Sequence, residues 1–166
     1  MDTLVAILMP GFKKSDWTNQ EIGFAMGRGV LVIPVMRGLD PYGFIGKYQG
    51  LSANEKTVEE VAKEIFAIIS TSDQTRIKIA SLLIALLQRG ATADYILEKA
   101  SIIDSVPNFP ISQLERLRDQ AMSNNIIADN HHVLKKLNTL LESRGISKIV
   151  KYDDEFLQAP DDDIPF

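Results

Sequence analysis

Two short apolar runs, Thr3 to Met9 (TLVAILM) and Val30 to Met36 (VLVIPVM), are joined by a stretch with helical signals, and they constrain this chain more than any other feature. Both are rich in branched side chains and lack polar alternation, the pattern of a strand buried on both faces, from which parallel sheets are built. Pro10-Gly11 closes the first run. Between the two, Ser15 stands as a helix N-cap with Asp16 in the first turn, and Gly29 serves as the C-terminal stop, which predicts a helix over 15–28. A strand, helix, strand unit of this kind crosses over right-handed and gathers the strand ends and the helix start on one rim, where α/β folds take ligands. Pro34 has no N–H for a ladder and belongs at an edge or an irregularity. Two strands alone do not make a stable sheet, so cover must come from the helices, from another chain or from a preceding portion of the domain.

The period changes beyond this unit. Residues 57–70, 74–88, 93–103, 111–123 and 133–143 carry apolar side chains at helical spacing. Ser52 or Asn54 is the expected start of the first helix, Gly90 the end of the second, and Ser112 with Glu115 a capping box if the fourth helix begins one residue later. The reading divides the chain into an α/β segment over 1–52, a helical region over 53–150 and an acidic tail over 151–166.

Composition removes several classes. The chain has 166 residues, 45% hydrophobic and 24% charged, as in ordinary globular proteins with one core and an appended subdomain. It has no cysteine, which excludes a thiolate nucleophile, a disulfide framework and a Cys-based zinc site. No apolar run approaches the roughly eighteen residues of a membrane span, and the first residues lack a signal-peptide pattern, so the expected location is cytoplasmic, with no membrane partner. Of the net charge of -4, the tail holds the excess: residues 151–166 carry one basic and six acidic side chains, against five basic and four acidic in 1–50. Basic residues cluster no further than Lys13-Lys14 and Lys135-Lys136, too few to displace phosphate counterions, and no nucleic-acid partner is expected.

The string that carries chemistry is Ser15-Asp16-Trp17-Thr18-Asn19-Gln20-Glu21-Ile22-Gly23-Phe24-Ala25, followed by Gly27-Arg28-Gly29 and Val32-Ile33-Pro34-Val35. At helical spacing Trp17, Glu21, Phe24 and Arg28 share a face, so Glu21 has aromatic neighbours. One carboxylate beside an anomeric carbon stabilises an oxocarbenium-like transition state, and a leaving group that departs neutral needs no separate acid. A lone Glu on an amphipathic helix is more often a solvated charge, and a Trp one turn before it is more often packing.

This string resembles the Ser-x-Trp-x-x-x-Glu helix of TIR domains, especially the bacterial TIR-like group, and the loop Asp40-Pro41-Tyr42-Gly43-Phe44-Ile45-Gly46 resembles the one that follows the equivalent strand there. The resemblance covers residues 1 to about 50 and implies the second half of the domain: an α/β, partial flavodoxin-like TIR half-domain with short parallel strands, followed by a mainly helical C-terminal region. It implies Glu21 as the catalytic carboxylate, Trp17 and Phe24 as residues shaping the substrate-binding surroundings, and the 40–46 loop near the mouth or an assembly surface. The implied activity is NAD glycohydrolase (NADase), a hydrolase yielding nicotinamide and ADP-ribose or a cyclic form, in signal transduction or bacterial defence. NAD or a related nucleotide is then the substrate, and no cofactor is needed. Implied partners are further copies in a homo-oligomer, or other TIR domains. The family's first strand, first helix and second strand precede this segment, so the isolated chain is expected to be inactive until the rest of the pocket is supplied.

Two alternatives remain open. One is a non-catalytic TIR self-association module. The other is a relative of nucleoside deoxyribosyltransferases, which also set a Glu on an α/β scaffold beside an N-glycosidic bond. No metal site is expected: His131-His132 are adjacent on a helix and point apart, and the acidic tail is a solvated terminus. Gly43-x-x-Gly46 lacks the Lys and Ser/Thr of a phosphate loop. Two physical expectations follow: Trp17 is buried, so that Trp17→Ala costs roughly 3 kcal/mol or more, and the protein self-associates through uncovered apolar surface.

Overall fold

The computed structural model describes residues 1–150, so the acidic tail lies outside the described residues. In chain order the elements are β1 (Thr3–Leu8), α1 (Asp16–Gly27), β2 (Leu31–Met36), β3 (Leu51–Ser52), α2 (Val58–Thr71), α3 (Arg76–Gln88), α4 (Ala93–Ser105), α5 (Ile111–Gln120), α6 (Asn125–Asp129) and α7 (His131–Ser143), with short 3-10 turns between some of them. The chain is therefore α/β, a small parallel sheet followed by helices. It forms two compact units, residues 1–79 and the residues from Ala80 onward. The strands end at Ser52, where the sequence reading drew its first division, but the first unit continues through α2, because that helix closes one face of the sheet.

The sheet has the order β1-β2-β3, all parallel. Thr3 pairs with Leu31 and the register runs to Leu8 with Met36; Val35 and Met36 then pair with Leu51 and Ser52. The third strand is too short to leave a period in the sequence. It makes β2 the middle strand, Pro34 included. The Ala53 N–H donates to the Met36 carbonyl at 2.9 Å, so the even-numbered residues of β2 turn their backbone groups toward β3. Pro34 turns the same way, toward a level where the two-residue β3 has not yet begun, and no ladder bond is lost there.

Each face of the sheet has its own core. On one, Ala6, Leu8 and Val32 pack with Ile22 and Ala25 of α1 and with Ile45. On the other, Ile33, Val35 and Leu51 pack with Val61, Ile65, Ile68 and Ile69 of α2. The expectation that both strands are buried on both faces holds for the middle of β2 and fails for β1, where Val5 is 39% and Ile7 49% exposed. The cause is positional: α2 lies over β2 and β3, and β1 is the outer strand.

Local chemistry sets the helix ends. The Ser15 Oγ accepts from the Thr18 N–H at 3.3 Å, and Gly29 takes φ 66° after α1, a left-handed stop that favours glycine. Helix α2 starts at neither Ser52 nor Asn54. Thr57 caps it: its hydroxyl accepts from the Glu60 N–H at 3.2 Å while the Glu60 carboxylate accepts from the Thr57 N–H at 2.8 Å, a complete capping box. The Ser112–Glu115 box does not form, since α5 begins at Ile111 directly after Pro110.

In the second unit, Ile96, Ala100 and Ile103 of α4, Leu114 and Leu117 of α5 and Val133, Leu137 and Leu141 of α7 are fully buried. The five-residue α6 was not legible from periodicity. Asn124 organises it, accepting from the Ile126 N–H at 2.8 Å and donating through Nδ2 to the carbonyls of Gln88 at 2.7 Å and Gly90 at 2.9 Å. Among the described residues no helix is long and apolar enough to cross a membrane.

Candidate functional site

The residues singled out in sequence sit on α1, a helix with two differently composed sides. Ile22 and Ala25 face the sheet and are buried; Trp17, Gln20, Glu21, Phe24 and Arg28 are exposed. Trp17 is 79% and Phe24 62% exposed, which corrects the expectation that Trp17 is core. The reason lies in the angle around the helix. At about 100° per residue, Trp17 falls roughly 140° from Ile22, on the side turned from the sheet. Trp17, Glu21 and Arg28 do share one flank, as their spacing requires, and the Arg28 guanidinium lies 5.7 Å from the centre of the Phe24 ring.

The 40–46 loop does not meet that flank. Tyr42 donates its hydroxyl hydrogen to Asn19 Oδ1 at 3.0 Å, and Lys13 Nζ stands 4.7 Å from the Tyr42 ring centre. Asn19 precedes Glu21 by two residues, about 200° around the helix, so the loop is fastened to the opposite flank. Between them lies a recess of about 300 Å³ lined by Asn19, Ile22, Tyr42, Gly43, Phe44 and Ile45. Glu21 does not line it. Because the loop leads from β2 toward β3, the flank carrying Glu21 faces the other way, toward the open edge of β1.

Nothing in the first unit encloses Glu21. Among the described residues it has no hydrogen bond or ion pair, and a carboxylate so placed is solvated. A wider cleft of about 540 Å³ lies between β2, β3 and α2, lined mainly by apolar groups such as Leu31, Ile33, Pro34, Leu51 and Ile68. Glu64 borders it, its two oxygens held by Lys56 Nζ at 2.7 and 2.8 Å. Trp17, Glu21 and Phe24 do not line this cleft. His131 and His132 open α7, and among the described residues no group of three or more His, Asp and Glu side chains is placed to hold a metal ion.

The structure thus brings Trp17, Glu21, Phe24 and Arg28 onto one exposed surface and sets the loop apart from them. Sequence spacing gave the shared face; it did not reveal the Tyr42–Asn19 bond, which joins residues 23 apart and has no periodic signature. Compared with known proteins, the chain matches no family model, no curated protein and no solved structure.

Proposed function

We propose that this chain is a TIR-like module, of flavodoxin-like α/β descent, that cleaves NAD at the nicotinamide–ribose bond with Glu21 as the catalytic carboxylate. The observation that carries the reading is the placement of Glu21 on a capped helix between two parallel strands, flanked by Trp17, Phe24 and Arg28, as the Ser-x-Trp-x-x-x-Glu string implies. The chemistry needs little else. The C–N bond breaks with its electron pair passing to the pyridinium nitrogen, so nicotinamide leaves neutral, and positive charge develops on the ribose beside the carboxylate. Water then adds to the anomeric carbon and releases a proton. Trp17 and Phe24 offer flat apolar surfaces for the departing ring, and Arg28 a charge for a diphosphate.

The open surroundings of Glu21 add a condition: water must be excluded before such a carboxylate acts strongly, so turnover requires a segment that closes the flank. Assembled protein should release nicotinamide from NAD, and Glu21→Gln should lower the rate by about a hundredfold or more, the scale of losing one transition-state electrostatic contact. NAD cleavage unaffected by Glu21→Gln sinks the assignment. So does inactivity of an assembled, folded domain.

A second reading is supported by the exposure of Trp17 and Phe24, two large aromatic side chains of the kind that anchor protein interfaces. On this reading α1 is a docking surface without turnover, and the same assay separates the two: the module changes its association state and releases no nicotinamide. A deoxyribosyltransferase-like activity has no supporting feature beyond the Glu on an α/β scaffold.

A further inference from the structure

The cleft between β2, β3 and α2 has a polar feature at the base of its apolar walls. β3 pairs only with Val35 and Met36, so the earlier residues of β2 have no strand beside them on that side. Even-numbered residues of β2 turn their backbone groups toward β3, as the bond from the Ala53 N–H to the Met36 carbonyl shows. Val32 follows the same alternation, and among the described residues its N–H and C=O have no hydrogen-bond partner. Its side chain packs on the other face of the sheet, with Ile22 and Ala25 of α1. What Val32 presents to the cleft is therefore its main chain, a donor and an acceptor side by side on one extended residue. Around that pair stand Leu31, Ile33 and Leu51 from the sheet and Ile68 from α2. A main-chain donor and acceptor left unmatched among apolar groups are costly, so a ligand that matches both is stabilised by bonds the fold itself does not make.

We propose that this cleft binds the adenosine moiety, with the edge of the adenine base on Val32. The amino group of adenine and the ring nitrogen beside it form an adjacent donor and acceptor. The amino N–H donates to the Val32 carbonyl, and the ring nitrogen accepts from the Val32 N–H. The apolar side chains of the sheet and of α2 cover the faces of the flat ring. The cleft holds about 540 Å³, inside the roughly 300–1,000 Å³ of small-molecule sites, which leaves room for two fused rings and a ribose. Glu64 at the border completes the fit. Lys56 Nζ meets its two oxygens at 2.7 and 2.8 Å, and since a carboxylate has about four lone-pair sites, both oxygens can still accept from the ribose hydroxyls. Lys56 also balances the Glu64 charge, so the border is matched to an uncharged base and sugar. The cleft lies on the α2 face of the sheet and α1 on the other, so the site stands whether or not Glu21 cleaves NAD.

The test is a proton–nitrogen correlation spectrum of the full chain titrated with adenosine. The Val32 amide proton should move downfield, as it does on donating to a ring nitrogen, with the largest shifts confined to residues lining the cleft. Purine riboside, which keeps the rings but lacks the amino group, and dideoxyadenosine, which lacks the two ring hydroxyls, should each bind at least about tenfold more weakly. Ala67→Trp, at an exposed position of α2 that lines the cleft, should fill it and abolish the Val32 shift. NAD is titrated in parallel: if it moves the same amide, the cleft takes adenosine within a dinucleotide, and if adenosine alone does so, it takes the free nucleoside. No shift at Val32 with either, up to the solubility limit of adenosine, overturns the inference. So does equal binding of either analogue, or binding undisturbed by Ala67→Trp in a folded chain. If Ala67→Trp disturbs the fold, the ligand series on the wild type decides alone.

Discussion

The two units of the chain both leave apolar residues in solvent, but only the sheet unit leaves them at a strand edge. In the helical unit, Ile96, Ile103, Leu114, Leu117, Leu137 and Leu141 have no exposed surface, and their helices close on one another. The sheet unit buries Leu8, Ala25 and Val35 as well and leaves Val5, Ile7, Trp17, Phe24 and Phe44 in solvent; the helical unit leaves Leu82, Leu86 and Ile111 exposed on its helices. A helix hides a stripe against its neighbours, whereas an outer strand keeps an edge whatever packs on its faces. The exposure of Val5 and Ile7 therefore reflects the position of β1 as the outer strand rather than a weak core.

That contrast can be broken at its strongest point first. Leu117→Ala removes a fully buried side chain from the helical unit and should cost about 2–5 kcal/mol, the range for leucine truncation in a packed core, read from denaturant melts. A loss below about 1 kcal/mol means that this core is loosely closed and that the two units do not differ as described.

A smaller effect tests the junction through which α2 closes the sheet. Thr57→Ala removes the hydroxyl half of the capping box and should cost about 1 kcal/mol. Hydrogen bonds from the Thr57 backbone and side chain hold the Glu60 carboxyl below its ordinary value of 4.5. A depressed folded-state pKa contributes stability that is present above the unfolded value and lost as pH falls through the folded one. The stability difference between wild type and Thr57→Ala should thus shrink as the pH drops below the ordinary glutamate range. A difference that is constant from pH 6 to pH 3 (roughly the span needed) assigns it to the bond from the Glu60 N–H to the Thr57 hydroxyl alone, with no share from the carboxylate.

The smallest change is the sharpest for the sheet unit. Trp17→Ala should alter stability by no more than about 0.5 kcal/mol, as for a surface position, in place of the roughly 3 kcal/mol expected of a buried tryptophan. A loss above about 2 kcal/mol would return Trp17 to the core.

Much of the fold was legible because it rests on short-range rules. The runs at Thr3 and Val30 lack polar alternation and became paired strands; Ser15, Gly29 and the helical spacing beyond residue 57 marked helices that formed within a few residues of their expected ends. What escaped was short or long-range: β3 with two residues, α6 with five, and the Tyr42–Asn19 bond across 23 positions. The Trp17 error has the same origin. Spacing shows that Trp17, Glu21 and Arg28 share a side of α1, but only the position of the sheet decides whether that side is inward.

The sequence by itself therefore determined the kinds of element and their order, because hydrophobic period, caps and turn residues act within a few positions along the chain. It also determined that Glu21 has aromatic company on its helix, since 3.6 residues make a turn whatever surrounds them. Tertiary structure alone decided which flank of α1 meets the sheet, that β2 and not β1 is the middle strand, and that the 40–46 loop is fastened away from Glu21. Those outcomes depend on which distant surfaces compete for the same cover: α2 can lie over only part of one face of the sheet, and by closing β2 and β3 it left Val5 and Ile7 of β1 exposed on that face.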